Sequence, residues 1–567
     1  MRLELGSYGA AVQRRIDALS SDDAAARIWR HDASFWGGDA ERQKSVANRL
    51  GWLEVAQQMR AEARPLQSFA AQVRSEGFRD AVVLGMGGSS LAPEVLRQSF
   101  GPREGWPALH VLDTTDPATI RSVVERIDPA HTLFFVSSKS GTTIEALSLF
   151  AYFHSLVKAA KPGRTGENFV AITDARTPLQ DLAKEHSFRR VFTNPGDIGG
   201  RYSALSYFGL VPAAVTGIDV AKLLTRGIAA AEATKLPQSE ALSLGAVLGE
   251  LALAGRDKAT FVVAPKIGSF GLWVEQLIAE STGKLGRGIL PVAGEPLGGP
   301  QHYGGDRLFV QLRLAGDGAA DDDAAITALT AGGHPAAVID LADAYDLGRE
   351  FFQWEFAVAV AGHVLEINPF DEPNVQESKD NTKRVLEEFE RTGTLDVTGI
   401  DERREPIALT SPDAIAEASL EDAVRSLIAA VAKHDYVAIT AYIEPTQGAE
   451  AAFAAMRATI RDATGAATTL GYGPRFLHST GQLHKGGPPT GVFLQVTASD
   501  SSDISVPGKP FTFAQLNRAQ AIGDFQSLLA HGRPAVRIHL GTDVKQGLAT
   551  LREAVRSAVA SGSASRR

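Results

Sequence analysis

The sequence predicts an α/β protein built on parallel sheets, and three series of segments carry that expectation. From about residue 80, short apolar runs alternate with helix-like stretches: AVVLGMG (81–87), LHVLDT (109–114), TLFFVSS (132–138) and FVAIT (169–173). A second alternating series holds ATFVVA (259–264), RLFVQLRL (307–314) and AAVID (336–340). A third holds YVAITAY (436–442), GVFLQVT (491–497) and AVRIHL (535–540). Such runs suit strands covered by helices on both faces. Ligands of these sheets bind at the carboxyl ends of the strands.

With 567 residues the chain is too long for one core, so two or three domains are expected. Its hydrophobic fraction of 44% and charged fraction of 22% are those of an ordinary globular protein. A net charge of −9 without a basic run argues against nucleic acid as a partner. The absence of cysteine excludes disulfides, thiolate metal sites and a cysteine nucleophile. No signal-peptide core or apolar run of membrane-spanning length is present, so a cytoplasmic enzyme with no membrane partner is expected.

In chain order, residues 1–55 read as a helical arm carrying the tryptophans of RIWRHD and SFWGGD. The first loaded strand end is Gly85-Met86-Gly87-Gly88-Ser89-Ser90, opening into APEVLRQSF. It imitates a dinucleotide fingerprint, with Asp113 as the ribose-binding acid, but Ser90 stands where the third glycine or alanine belongs. The alternative is a smaller phosphate held by backbone N–H groups and Ser89. The second strand end favours that alternative. It sets Ser138, Lys139, Ser140, Thr142 and Thr143 between a strand and a helix, where one hydroxyl would suffice for an N-cap. Glu145, just inside this helix, suits the dipole and means little alone. The spacing is not that of a nucleoside-triphosphate loop.

Further on, Gly199-Gly200 permit close backbone approach to a ligand, and Arg201 follows them. Arg201 suits either a surface carboxylate or an oxyanion. The stretch from Trp273 to His302 begins as an apolar helix that puts Gln276 and Glu280 on one face and stops at Ser281-Thr282-Gly283. In the last turn the helix dipole disfavours negative charge, which raises the tendency of Glu280 to hold a proton. The plain alternative is a surface glutamate at a helix end. Residues 351–367 form a long apolar helix whose His363 reads as a packed core histidine. A polar helix bearing Lys379 follows the turn NPFDEP, and a lone lysine there is ordinarily solvated.

Four motifs then agree: VVLGMGGSSLAPEVL, VSSKSGTTIEA, GGRYS with QLIAESTGK…QH, and NPFDEPNVQESK. Together, over residues 80–380, they resemble the phosphoglucose isomerases, which are built from two sugar-isomerase (SIS) domains. The resemblance implies aldose–ketose isomerisation of glucose 6-phosphate and fructose 6-phosphate through a cis-enediol, without a cofactor. It implies Glu280 as the base, His302 as the ring-opening histidine, Lys379 as its helper at the ring oxygen and Arg201 facing the enediolate. Gln276 then positions substrate, and Gly200 lies at the ligand. Gly88, Ser89, Ser138, Lys139, Ser140 and Thr143 form the phosphate pocket, and Glu145 meets a sugar hydroxyl. In that family the histidine comes from the neighbouring subunit, which implies a homodimer with shared active sites.

The expected organisation is an arm (1–55), two SIS-type parallel-sheet sandwich domains (56–215 and 216–400) and an extra C-terminal α/β region (401–567). Short bacterial members of the family end soon after the lysine, whereas this chain runs on from Lys379 to residue 567. That tail and the N-terminal ARIWRHDASFW resemble the isomerase half of transaldolase–phosphoglucose isomerase fusions. No transaldolase Schiff-base lysine strand is found. GYGPRFLHSTGQLHKGGP, with His478, His484 and Lys485, has no role derivable from the residues and reads as a structural turn. Two rivals stay open: an isomerase that also accepts mannose 6-phosphate, and a non-catalytic phosphosugar-binding regulator on the same fold.

Overall fold

In a computed structural model of the chain, residues 1–318, 320–395, 408–410, 419–500 and 502–565 are described. These residues form three five-stranded sheets. The first strand, β1 (Arg2–Glu4), lies within the segment expected to be a helical arm. The first sheet comprises β2 (Asp80–Gly85), β3 (Ala108–Leu112), β4 (Thr132–Ser137), β5 (Phe169–Asp174) and β6 (Arg190–Asn194). All are parallel, in the order β3-β2-β4-β5-β6. The second sheet comprises β7 (Lys258–Val263), β8 (Leu290–Val292), β9 (Arg307–Leu314) and β10 (Ala336–Leu341), ordered β8-β7-β9-β10, with β1 added antiparallel at the β10 edge.

The third sheet repeats the plan of the second. β11 (Ala408–Thr410), β12 (Tyr436–Tyr442), β13 (Ala467–Tyr472), β14 (Gly491–Thr497) and β15 (Ala535–His539) run in the order β13-β12-β14-β15, with β11 antiparallel at the far edge. The expected strands are all present. Those not anticipated, β1, β6, β8, β11 and β13, are short or half polar, so pairing with a stronger neighbour defines them.

The alternation of strand and helix buries both faces of the sheets; every residue of β4 is buried. The helix Leu347–Val364 is buried on nearly all sides and carries the arm. Trp36 Nε1 donates to the Ala359 carbonyl at 2.8 Å, and Trp29 stacks on Phe352. His363 is the packed core histidine expected: its ring stacks on Phe35 at 3.9 Å and burial pushes its pKa down.

The C-terminal region packs against both other sheets. Phe493, Phe525 and Leu483 share an apolar cluster with Ala279, Leu290 and Val292 of the second sheet's layer. Phe511, Phe513 and Leu516 join the core of the first sheet. Each fully buried phenylalanine contributes roughly 1.5–3 kcal/mol, so this region is held by several such side chains. No helix of the described residues is long and apolar enough to cross a membrane.

Candidate active site

The site lies where the carboxyl ends of β2 and β4 meet the ends of two later helices. The hydroxyl loop after β4 is internally ordered. Ser138 Oγ and Thr143 Oγ1 are 2.8 Å apart, Ser140 Oγ and Thr142 Oγ1 are 2.9 Å apart, and the Gly141 and Thr142 amides donate to Ser138 and Ser140. Thr143 occupies the N-cap of the helix Ile144–Ala160, so the loop sits on the positive end of a long helix. Lys139 differs from its companions, since its Nζ is engaged by Asp174 at 2.5 Å.

The glycine loop after β2 serves close packing. A Cβ on Gly88 would collide with the Gly200 carbonyl, and its absence brings the Ser89 turn against the Arg201 turn. Gly87, at a φ of +52°, faces the Gln276 side chain and the His478 carbonyl at distances that leave no room for a methyl group. Ser89 is buried, and its carbonyl accepts from Ser137 Oγ.

Glu280 lies in the last turn of the helix Phe270–Thr282, whose C-cap is Gly283, as expected. It is only 5% exposed and stands in the middle of a charged network. Arg201, 2% exposed, reaches Glu280 Oε2 at 3.4 Å and Glu372 Oε2 at 2.9 Å through Nη1. Its Nε donates to Ser281 Oγ, and its Nη2 to the Pro369 and Asp371 carbonyls. Burial pushes the Glu280 pKa up to about 7, with Arg201 restraining the rise and Glu372 adding to it. The direction matches the expectation from the helix end, but the dominant cause is desolvation. Gln276 Nε2 bridges Glu280 Oε2 (3.3 Å) and the His478 carbonyl (2.7 Å), while its Oε1 is buried without a partner.

A cavity of ≈380 Å³ is lined by Thr142, Thr143, Glu145, Lys379, His478 and Gln520, among others. Larger spaces of ≈420, ≈510 and ≈640 Å³ exist, but none of them touches the hydroxyl loop. Glu145 is buried and receives His478 Nε2 at 3.0 Å and Gln520 Nε2 at 2.7 Å. Burial works against this carboxylate, but His478 and Lys379 outweigh it and hold its pKa below the usual value. Lys379 lies on the helix Pro373–Thr392, next to Ser378, which accepts from Lys485 Nζ at 2.8 Å.

His302 is not brought into this cavity. It ends the turn Pro300–His302, its side chain is 32% exposed, and its Nδ1 lies 3.4 Å from Asp462. The histidine that the chain places beside Glu145 and Gln276 is His478, from the segment that reads as a structural turn. Two histidines and a lysine crowded between β13 and β14 are the available signal; nothing local distinguishes His478 from His484, which is buried and whose pKa is pushed down to about 3. Glu372 and Gln520 are further members of the network that the motifs do not single out.

The family model described as phosphoglucose isomerase matches residues 48–285. The chain is 30% identical over 373 residues to a probable glucose-6-phosphate isomerase of Haloarcula marismortui, covering 59% of this chain and 83% of that protein. It is 31% identical over 362 residues to the glucose-6-phosphate isomerase of Rubrobacter xylanophilus, covering 55% and 83%. Among solved structures, a hypothetical protein from Thermus thermophilus superposes with a TM-score of 0.58 at 25% identity, covering 68% of this chain and 99% of that one. The glucose-6-phosphate isomerase of Chlamydia trachomatis shares the fold at a TM-score of 0.55 and 19% identity, over 66% and 86%.

Proposed function

This chain belongs to the phosphoglucose isomerase family, and from that premise we propose that it interconverts glucose 6-phosphate and fructose 6-phosphate, with Glu280 as the base at carbon and His478 as the histidine at the ring. The observation that carries the reading is a buried glutamate, poised near neutral pH, held 3.4 Å from a buried arginine and linked through Gln276 to a histidine beside the hydroxyl loop. The hydroxyls and amides of Ser138–Thr143 take the phosphate, and the packing of Gly88 on Gly200 sets the neighbouring Ser89 turn against the Arg201 turn.

Ring opening requires one proton delivered to the ring oxygen and one removed from the C1 hydroxyl. His478 and Lys379, both lining the cavity, serve that exchange. Glu280 then takes the C2 proton and returns it at C1. A pKa near 7 suits both halves of that transfer. Negative charge on the enediolate oxygens faces Arg201, which is fixed by five contacts and needs no reorganisation. The free Oε1 of Gln276 accepts from a sugar hydroxyl, and the Glu145 carboxylate accepts from another.

Coupled assays with glucose, fructose and mannose 6-phosphates, combined with exchange of the C2 proton into solvent, test this reading. Turnover of the first two with C2 exchange is expected. Turnover of mannose 6-phosphate at a comparable rate makes the enzyme a dual isomerase. Binding without any turnover by folded protein makes it a phosphosugar-binding regulator.

A further inference from the structure

The second and third sheets share more than strand order. In each unit a long helix follows the first parallel strand, Phe270–Thr282 after β7 and Gln447–Thr464 after β12. Both helices end in the same pattern: Ile278-Ala279-Glu280-Ser281-Thr282-Gly283 and Ile460-Arg461-Asp462-Ala463-Thr464-Gly465. In each unit a short turn ending in histidine then lies between the second and third strands, Pro300–His302 and Arg475–His478. Glu280 thus corresponds to Asp462, and His302 to His478.

The units face each other reciprocally. His478 meets the Glu280 helix through Gln276, while His302 meets the counterpart helix at Asp462. The glycine carbonyl closing each helix is bonded from the other unit: Gly283 O accepts from Gln482 Nε2 at 2.9 Å, and Gly465 O accepts from the Gly304 amide at 3.0 Å. Gln482 also holds Asn374 at the start of the Lys379 helix. The pairs differ in equipment. Four residues before Glu280 stands Gln276; four before Asp462 stands Ala458. Glu280 is buried against Arg201, whereas Asp462 is 44% exposed and bonded to its neighbour Arg461.

We propose that the C-terminal region is an internal copy of the second sheet unit that acts as a built-in partner, so that one chain holds one complete active site, Glu280 with His478, and one silent counterpart, Asp462 with His302. This rests on the catalytic reading of His478. Catalysis then needs no second copy of the chain.

Mixing two inactive full-length variants decides the matter. Glu280→Gln and His478→Ala chains, co-expressed and co-purified, are expected to show no more activity than their separate sum. If the site were shared between chains, random assortment into two-fold dimers would restore about a quarter of wild-type activity, and the proposal falls. Wild-type specific activity is also expected to stay constant on dilution past the point where light scattering shows single chains. Loss of activity in step with dissociation overturns it. A His478→Ala chain that stays active sinks the catalytic reading itself, and is distinguished from shared sites because no mixing is needed to see it.

Discussion

The second and third sheets are built alike and used differently. Both run four parallel strands in the same order with an antiparallel strand at the edge, and both end a helix in an acid, one small residue and then Thr-Gly. Only one of the two acids is catalytic in our reading, because burial, an arginine and a glutamine surround Glu280, whereas Asp462 is half exposed and pairs with its chain neighbour Arg461 and with His302. A motif position is therefore not a site; the neighbours that desolvate and charge it are.

The widest predicted gap between the two units is at the acids. Glu280→Gln keeps shape and removes the base, so kcat is expected to fall by at least ~10²-fold with little change in substrate affinity. Exchange of the C2 proton with solvent falls with it, and near-normal exchange in this variant would contradict the assignment. His478→Ala comes next, with a loss on the order of 10²-fold in kcat/KM, at the low end for a general acid or base. Its circular dichroism spectrum should match wild type, which separates lost chemistry from lost packing.

The pH profile sharpens the same contrast. As the proposed base, Glu280 acts when ionised, and burial pushes its pKa up to about 7. As pH falls through that value the base is protonated, so kcat/KM should drop about tenfold per pH unit on the acid side. A flat profile from about pH 8 to 5 would show that Glu280 does not titrate as the essential base. In the hydroxyl loop proposed to take the phosphate, Ser140→Ala removes the acceptor of the Thr142 amide. KM is expected to rise several-fold, with a smaller change in kcat, as loss of uniform binding requires; steady-state kinetics on glucose 6-phosphate reads both. The smallest effects belong to the silent pair. His302→Ala and Asp462→Asn should each leave kcat within about twofold, the range of an exposed substitution, and a tenfold loss at either would return His302 to the chemistry.

Much of the architecture is legible in the residues. Apolar strand runs, the Ser/Thr-rich loop after β4, the glycine that stops the Phe270–Thr282 helix and the packed His363 all follow from local composition and period. The same holds for the direction of the Glu280 shift, although the sequence points to the helix dipole and the structure to burial. Lys139 reads as a phosphate ligand by position, yet Asp174, thirty-five residues on, holds its amine.

Which histidine serves the site cannot be read from spacing. His302 follows Glu280 closely in the chain and His478 lies 198 residues beyond it, yet packing of the C-terminal unit reverses that order in space. Sequence determines what each segment prefers locally, because hydrogen bonding and apolar period act over a few residues. It does not by itself say which of two similar units will bury a given acid. Only the assembled structure decides that, because desolvation and charge pairing depend on neighbours that the chain brings from hundreds of residues away.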